Sequence, residues 1–91
     1  MFLIMYDIQN DKLRTQFSKF LNQFGRRVQY SVFEITNSQR ILANIRAEIT
    51  ARYEKRFKQS DSVLIFDVPD NACIGRFGYP VNEEEDIIIN D

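Results

Sequence analysis

Two stretches of the chain carry apolar side chains at the spacing of an amphipathic helix, and each must bury that stripe against another layer. The stripe of the first stretch consists of Leu13, Phe17, Phe20, Leu21 and Phe24. The stripe of the second stretch consists of Leu42, Ile45, Ile49, Tyr53 and Phe57. Asn10 or Asp11 can cap the first helix, and Gly25 can end it. With 91 residues, the chain has room for one small domain built on these two helices.

Short apolar or alternating runs lie before, between and after the two helices. Residues 2–6, 27–35 and 62–68 are typical of strands, and residues 72–77 predict a weaker fourth strand that pairs back. This order predicts an α+β sandwich, in which one sheet of about four strands has two helices on one face. We expect residues 1–79 to form this domain.

Residues 80–91 read as an acidic linker followed by an apolar, β-branched triplet. The triplet Ile87, Ile88 and Ile89 predicts a C-terminal strand that docks on a sheet edge, of this chain or of a partner. Because both helices lie on one face, the other face of the sheet is also open to a partner. The residues expected on that face are Tyr6, Gln29, Ser31 and Phe33. For Phe33, packing in the core or in a dimer interface is favoured over stacking on bases.

The composition excludes several classes of active site. The chain has no histidine and a single cysteine, Cys73, which excludes Ser-His-Asp triads, Cys-His pairs, histidine metal sites and thiolate zinc sites. Catalysis therefore has to use carboxylates, a bound metal or the positioning of a substrate. No apolar run approaches the roughly 20 residues of a membrane span, and no secretory signal is visible. We expect a cytoplasmic protein that has no membrane partner.

Positive and negative charges are segregated along the chain, although the formal net charge is only −1. Between Lys12 and Lys58 there are 11 basic and 3 acidic residues, whereas residues 82–91 hold 5 acidic residues and no basic one. A basic body with an acidic tail favours a polyanion, such as a nucleic acid, as the partner of the body. The alternative is a solvated helix face that binds nothing.

Two motifs give the chain a family resemblance. They are Tyr6-Asp7-Ile8, at the end of the first strand, and Gly25-Arg26-Arg27-Val28-Gln29-Tyr30-Ser31-Val32-Phe33-Glu34, after the first helix. Through them the chain resembles the CRISPR-associated protein 2 family over almost all of the expected domain. The resemblance implies a ferredoxin-like fold and a homodimer that forms through the sheet. A ferredoxin-like domain has two strands between its helices, and whether residues 27–35 form one strand or two is left open.

The resemblance implies a role in CRISPR adaptation, the acquisition of spacers. In that role the homodimer binds the backbone of duplex DNA and bridges dimers of the integrase, CRISPR-associated protein 1. The alternative is a metal-dependent endonuclease or endoribonuclease that uses a pair of Asp7 residues, and this alternative includes a toxin-like ribonuclease. Its substrate is DNA or single-stranded RNA. A third class is a ferredoxin-like domain that regulates or binds other proteins and has no salt-sensitive affinity for nucleic acid.

The resemblance identifies Asp7 as the candidate catalytic residue and metal ligand. Since Mg²⁺ usually takes one or two carboxylates besides water and phosphate, two copies of Asp7 are expected to share one Mg²⁺ or Mn²⁺ site across the dimer. Such a metal can activate water without a histidine. The alternative is an Asp7 that only ends the strand and caps the following turn.

Three arginines are the candidates for contact with nucleic acid: Arg14, Arg26 and Arg27. Arg14 and Arg27 match arginines of the family, and Arg26 is adjacent to Arg27. A second family arginine, two residues after the position of Arg14, is replaced here by Gln16, so the basic edge is weaker. The alternative for Arg14 is a surface ion pair with Asp11, which contributes little to stability in water.

Overall fold

The computed structural model describes residues 1–78. Its strands are β1 (Phe2–Asp7), β2 (Arg26–Gln29), β3 (Val32–Ile35) and β4 (Ser62–Asp67). Its helices are α1 (Asp11–Asn22) and α2 (Gln39–Glu48), and a π-helical turn (Ile49–Tyr53) and a 3₁₀ turn (Glu54–Arg56) continue α2. Within this part of the chain no helix has the length and apolar character needed to cross a membrane.

The four strands form one antiparallel sheet in the order β2-β3-β1-β4. The first helix connects β1 to β2 across β3, and the second helical segment connects β3 to β4 across β1. Both connections cross one intervening strand with the same hand, so both helices pack on the same face of the sheet. This arrangement confirms the predicted α+β, ferredoxin-like fold.

The run over residues 27–35 forms two strands joined by a tight turn at Tyr30 and Ser31. Ser31 has a φ of 63°, a left-handed conformation that serine rarely adopts outside turns. The sheet therefore reaches four strands because this run supplies two of them, β2 and β3. The prediction of a strand over 72–77 was wrong: these residues follow a turn in which the Ala72 N–H donates to the Pro69 carbonyl, and they lie outside the sheet.

The predicted apolar stripes lie in the core between the helices and the sheet. Leu13, Phe17 and Leu21 of α1 are almost fully buried. Phe17 is central: its ring makes edge-to-face contacts with Tyr6 of β1 and Tyr53 of the π-helical turn, each with centroids 5.1 Å apart. Edge-to-face aromatic pairs add stabilisation beyond the area that they bury.

The second stripe stays on the core side along its whole length because the helix widens after Glu48. In the π-helical turn the Glu54 N–H donates to the carbonyl of Ile49, five residues earlier. Steps of four residues would drift around a regular α-helix, which has about 3.6 residues per turn. The wider turn corrects this drift, so Tyr53 is only 3% exposed.

Side-chain caps begin both helices. Asn10 Oδ1 accepts from the Leu13 N–H at 2.8 Å, and Ser38 Oγ accepts from the Ile41 N–H at 3.2 Å. After α1 ends, Gly25 lies against β3 so closely that a Cβ at this position would collide with the carbonyl oxygen of Glu34. A glycine is therefore required where the chain enters β2.

The segment after β4 is held to the sheet at two points. The Val68 N–H donates to the Met1 carbonyl at 2.8 Å, which extends the β1–β4 pairing. Further along, Arg76 forms an ion pair with Glu34 of β3 at 2.8 Å. The predicted acidic linker and C-terminal strand, including Ile87, Ile88 and Ile89, lie outside the described residues.

Candidate metal and nucleic-acid site

Asp7 is the last residue of β1 and lies on the face of the sheet opposite the helices. Successive side chains of a strand point to opposite faces. Phe2, Ile4 and Tyr6 are buried beneath the helices, so Leu3, Met5 and Asp7 share the other face. The carboxylate of Asp7 is therefore exposed, next to Ser62 of β4 in the strand register.

This second face, which we call the open face, is apolar along its middle. The apolar side chains on it are Leu3, Met5, Val32, Leu64 and Phe66. The register places Met5 between Val32 and Leu64, and Leu3 beside Phe66. Leu64 and Phe66 are 55% and 48% exposed. Contiguous exposed apolar residues are common on surfaces that bind another protein, and Asp7 lies at one end of this group.

The loop after Asp7 is held by hydrogen bonds. The side-chain amide of Gln9 donates to Asp7 Oδ1 at 2.9 Å. The backbone N–H of Gln9 donates to Asp61 Oδ1, also at 2.9 Å, and the Lys58 N–H donates to Asp61 Oδ2 at 2.7 Å. The N–H groups of Lys58 and Gln9 lower the pKa of the Asp61 carboxyl below its ordinary value, because both donate to the ionised form.

The described part of one chain does not hold a complete metal site. Within residues 1–78, no cluster of three or more histidine, cysteine, aspartate or glutamate side chains could bind a metal ion. The donor type of Asp7 still fits Mg²⁺ or Mn²⁺, since both prefer carboxylate oxygens. Asp7 alone supplies one carboxylate, and Mg²⁺ usually takes one or two carboxylates and completes its shell with water or substrate phosphate.

Comparison with known proteins identifies the family. A sequence model of the family described as CRISPR associated protein Cas2 matches residues 1–73. The chain belongs to the Cas2 family. A CRISPR-associated endoribonuclease Cas2 of Thermus thermophilus is 30% identical over 91 residues, which cover 94% of each chain. The CRISPR-associated endoribonuclease Cas2 1 of Archaeoglobus fulgidus is 37% identical over 70 residues, which cover 74% of this chain and 67% of that protein.

Solved structures show the same fold. A hypothetical protein from Thermus thermophilus has a TM-score of 0.74 at 26% identity, and the match covers 89% of this chain and 93% of that one. Cas2 of Streptococcus pyogenes has a TM-score of 0.64 at 23% identity, with 81% of this chain and 98% of that one covered. The resemblance drawn from the two sequence motifs is thereby confirmed at the level of the Cas2 family and its fold.

Two of the four residues predicted for the open face lie in the core instead. Tyr6 and Phe33 are 5% and 1% exposed, beneath the helices, and their rings stack at 6.3 Å. Tyr6 was misplaced because every residue of β1 before Asp7 is apolar or aromatic, so composition did not distinguish the two faces of this strand. For Phe33, packing in the core is one of the two alternatives that the sequence favoured. Gln29 is exposed at the end of β2, and Ser31 forms the turn that follows.

Arg27 is also buried, which removes it from the predicted basic edge. Its side chain points to the helix side of β2, where its Nη2 donates to Ser18 Oγ of α1. Its guanidinium carbon lies 5.5 Å from the centroid of the Phe33 ring. Arg27 is 4% exposed, so it joins α1 to the sheet and does not present its charge to a phosphate on the surface.

Arg14 and Arg26 are at different ends of the sheet. Arg14 forms the ion pair with Asp11 at 2.6 Å, and its Nη1 donates to the Ile8 carbonyl at 3.0 Å. It therefore lies beside the loop that follows Asp7. Arg26 is exposed and opposite Glu34, which in turn pairs with Leu3, four residues before Asp7 on β1. Within one chain the structure brings Arg14 close to the Asp7 loop and keeps Arg26 apart from it.

The sequence did not single out the apolar open-face residues or the pair Gln9 and Asp61. The sequence did contain a clue to the apolar residues. Asp7 ends an apolar strand and is expected to be exposed, and alternate residues of a strand share a face, so Met5 and Leu3 are expected on the same face as Asp7. Asp61 and Gln9 are 52 positions apart, and their contact depends on the tertiary structure.

Proposed function

We propose that this Cas2-family protein acts as a homodimer and cleaves nucleic acid, with single-stranded RNA as the first candidate substrate and Asp7 of both copies at the active site. The observation that carries the proposal is the position of Asp7 on the apolar open face of the sheet. If two copies pack through this face around a two-fold axis, the same interface buries the apolar side chains and brings two Asp7 carboxylates towards each other. Relatives that are named endoribonucleases support the choice of RNA.

The chemistry of the site uses a metal and two carboxylates. Asp7 of each copy would bind a shared Mg²⁺ or Mn²⁺ ion through a carboxylate oxygen. When bound, the ion would neutralise negative charge on the phosphodiester. The chain has no histidine, so no imidazole takes part in proton transfer. The apolar residues beside Asp7 contribute by fixing the distance between the two copies.

The test compares the purified protein with Asp7→Asn in the cleavage of labelled single-stranded RNA and duplex DNA, with Mg²⁺ and with EDTA. We expect cleavage that requires Mg²⁺ and is lost in Asp7→Asn at an unchanged oligomeric state. Asp70→Asn is the matched control, because Asp70 is an exposed aspartate in the turn after β4, at the opposite end of the sheet from Asp7. Activity that survives in Asp7→Asn contradicts the proposal.

A second candidate function is the non-catalytic one: the homodimer binds the backbone of duplex DNA and bridges dimers of the integrase, CRISPR-associated protein 1, during spacer acquisition. The observation in its favour is the charge of the helix side, where the basic residues Lys12, Lys19, Arg46, Arg52, Lys55 and Arg56 are exposed. This side stays accessible when two copies pack through their open faces. Arginine and lysine there suit phosphate contacts with little sequence preference.

Duplex binding tests this second function. We expect the affinity to fall steeply with salt, with each phosphate contact adding about 0.9 to the slope of log affinity against log salt. A flat slope contradicts the DNA-binding function. We also propose that the tail residues Ile87, Ile88 and Ile89 dock on the integrase or on the partner copy. Deletion of residues 82–91 should then weaken integrase association or the dimer, and a deletion that changes neither contradicts this docking.

A further inference from the structure

The loop between β1 and α1, residues 8–10, is short and is anchored from two sides, although Gln9 and Asn10 in it are exposed. On one side, Arg14 Nη1 donates to the carbonyls of Ile8 and Gln9, at 3.0 and 3.4 Å. On the other side, the Gln9 N–H donates to Asp61 Oδ1 at 2.9 Å. The backbone of Gln9 is thus bound by a residue of α1 and by a residue that directly precedes β4.

Asp61 is itself held in place by hydrogen bonds within its own turn. The Asp61 N–H donates to the Lys58 carbonyl at 3.0 Å, and Asp61 Oδ2 accepts from the Lys58 N–H at 2.7 Å. These two bonds close a turn over residues 58–61, and the turn sets the direction of the carboxylate. The remaining oxygen, Oδ1, is the one that accepts from Gln9.

With its backbone held, Gln9 places its side-chain amide on Asp7 Oδ1 at 2.9 Å. An ionised carboxylate only accepts hydrogen bonds, so Gln9 must present its amide nitrogen to Asp7. Both residues are exposed. Water competes for a hydrogen bond between exposed groups, and such a bond persists only where its partners are already in position. The anchors on the Gln9 backbone supply that position.

We propose that Gln9 and Asp61 are positioning residues for the Asp7 carboxylate: Asp61 fixes the backbone of Gln9, and the Gln9 amide orients Asp7 towards a divalent cation. This inference rests on the proposed function at Asp7. Carboxylates that bind metals are commonly held by hydrogen bonds from surrounding residues, and loss of such a partner typically lowers metal affinity about 10–100-fold. It also gives Arg14 a role next to the site, as the second anchor of the same loop.

The test measures Mn²⁺ affinity by paramagnetic resonance titration of the full chain, together with the melting temperature in EDTA. Gln9→Ala should lower Mn²⁺ affinity about 10-fold with little change in melting temperature, because the side chain is exposed. Asp61→Asn should lower the affinity by a similar factor and accelerate hydrogen exchange of the residue 9 amide in the metal-free protein. Asp70→Asn is the matched control and should change none of these quantities.

A double variant tests whether Asp61 acts on Asp7 through Gln9 or whether the two residues affect metal binding independently. If Asp61 acts through Gln9, Gln9→Ala combined with Asp61→Asn should lose no more Mn²⁺ affinity than the worse single variant. Unchanged Mn²⁺ affinity in Gln9→Ala, with affinity lost in Asp7→Asn, overturns the inference and leaves the proposed function intact. A lower melting temperature in Asp61→Asn without loss of affinity overturns the role of Asp61. Unchanged Mn²⁺ binding in Asp7→Asn overturns the proposed function, and this inference with it.

Discussion

Phe33 and Phe66 lie on opposite faces of the same sheet and differ in how far they are buried. Phe33 is 1% exposed and packs beneath the helices, whereas Phe66 is 48% exposed on the open face. The apolar residues of β1 divide in the same way, with Ile4 buried and its neighbour Met5 exposed. Similar side chains therefore have different surroundings: those on the helix side stabilise the fold of one chain, and those on the open face leave apolar surface exposed.

The largest effect should come from the substitution of the two phenylalanines. Phe33→Ala should lower the free energy of unfolding by about 3–5 kcal/mol, since it removes a buried ring and leaves a cavity. In a domain of this size that is a large part of the total stability. Phe66→Ala should cost the isolated chain less than about 1 kcal/mol. Urea unfolding at low protein concentration measures both, and equal costs would contradict the distinction between the faces.

A charge placed on the open face should disrupt association and leave the fold intact. Leu64→Lys should raise the dissociation constant of the proposed dimer about 100-fold or more, which corresponds to roughly 2.7 kcal/mol, because two lysines would be desolvated in one interface. Ala47→Lys adds the same charge on the exposed side of α2 and is the control. Sedimentation equilibrium measures both variants. An unchanged dimer in Leu64→Lys would show that copies associate through another surface.

The adjacent arginines of β2 extend the comparison to charged residues. Arg27→Ala should lower the free energy of unfolding by about 1–3 kcal/mol, because it leaves the Ser18 hydroxyl without its donor. Arg26→Ala should change that free energy by no more than about 0.5 kcal/mol. If Arg26 contacts phosphate, its loss should also flatten the salt dependence of duplex binding by about 0.9 per contact. A stable Arg27→Ala variant with weakened nucleic-acid binding would reverse these assignments.

The smallest expected effect concerns acid stability near the Asp7 end of the sheet. The pKa of Asp61 is lowered in the folded state, so its contribution to stability is complete above the unfolded pKa of about 3.9. This contribution is lost as the pH falls through the lower, folded-state pKa. The difference in unfolding free energy between the wild type and Asp61→Asn should therefore shrink below about pH 4. Urea midpoints of both proteins, measured from pH 7 to pH 3, test this expectation. A difference between the two proteins that stays constant down to pH 3 contradicts it.

The sequence predicted both helices and the N-terminal cap of the first helix well because these features depend on local spacing. Both apolar stripes and the cap at Asn10 could be recognised from residues within a few turns of each other. The hairpin was harder to see, since Tyr30 and Ser31 are not the asparagine or glycine that mark most tight hairpin turns. The sequence left open whether the run was split and assigned a strand to 72–77 instead.

The site was predicted only in part because several of its properties arise from tertiary contacts. Asp7 could be identified by its motif, but its face depends on which side of β1 the helices cover. Arginine is rarely buried, and no local sequence pattern around Arg27 predicts its hydrogen bond with Ser18 of α1. The contact between Gln9 and Asp61 forms only when the turn before β4 reaches the end of β1.

The π-helical turn after α2 has a consequence for chain length. From Leu42 to Phe57 the buried stripe advances by three, four, four and four residues, whereas an uninterrupted α-helix keeps a stripe in place by alternating three and four. The turn therefore behaves as a single inserted residue. A chain that lacked the exposed Ala51 would place the same five apolar side chains on one side of a regular helix. The connection from β3 to β4 can thus lose one residue at this point without exchanging any residue of the core.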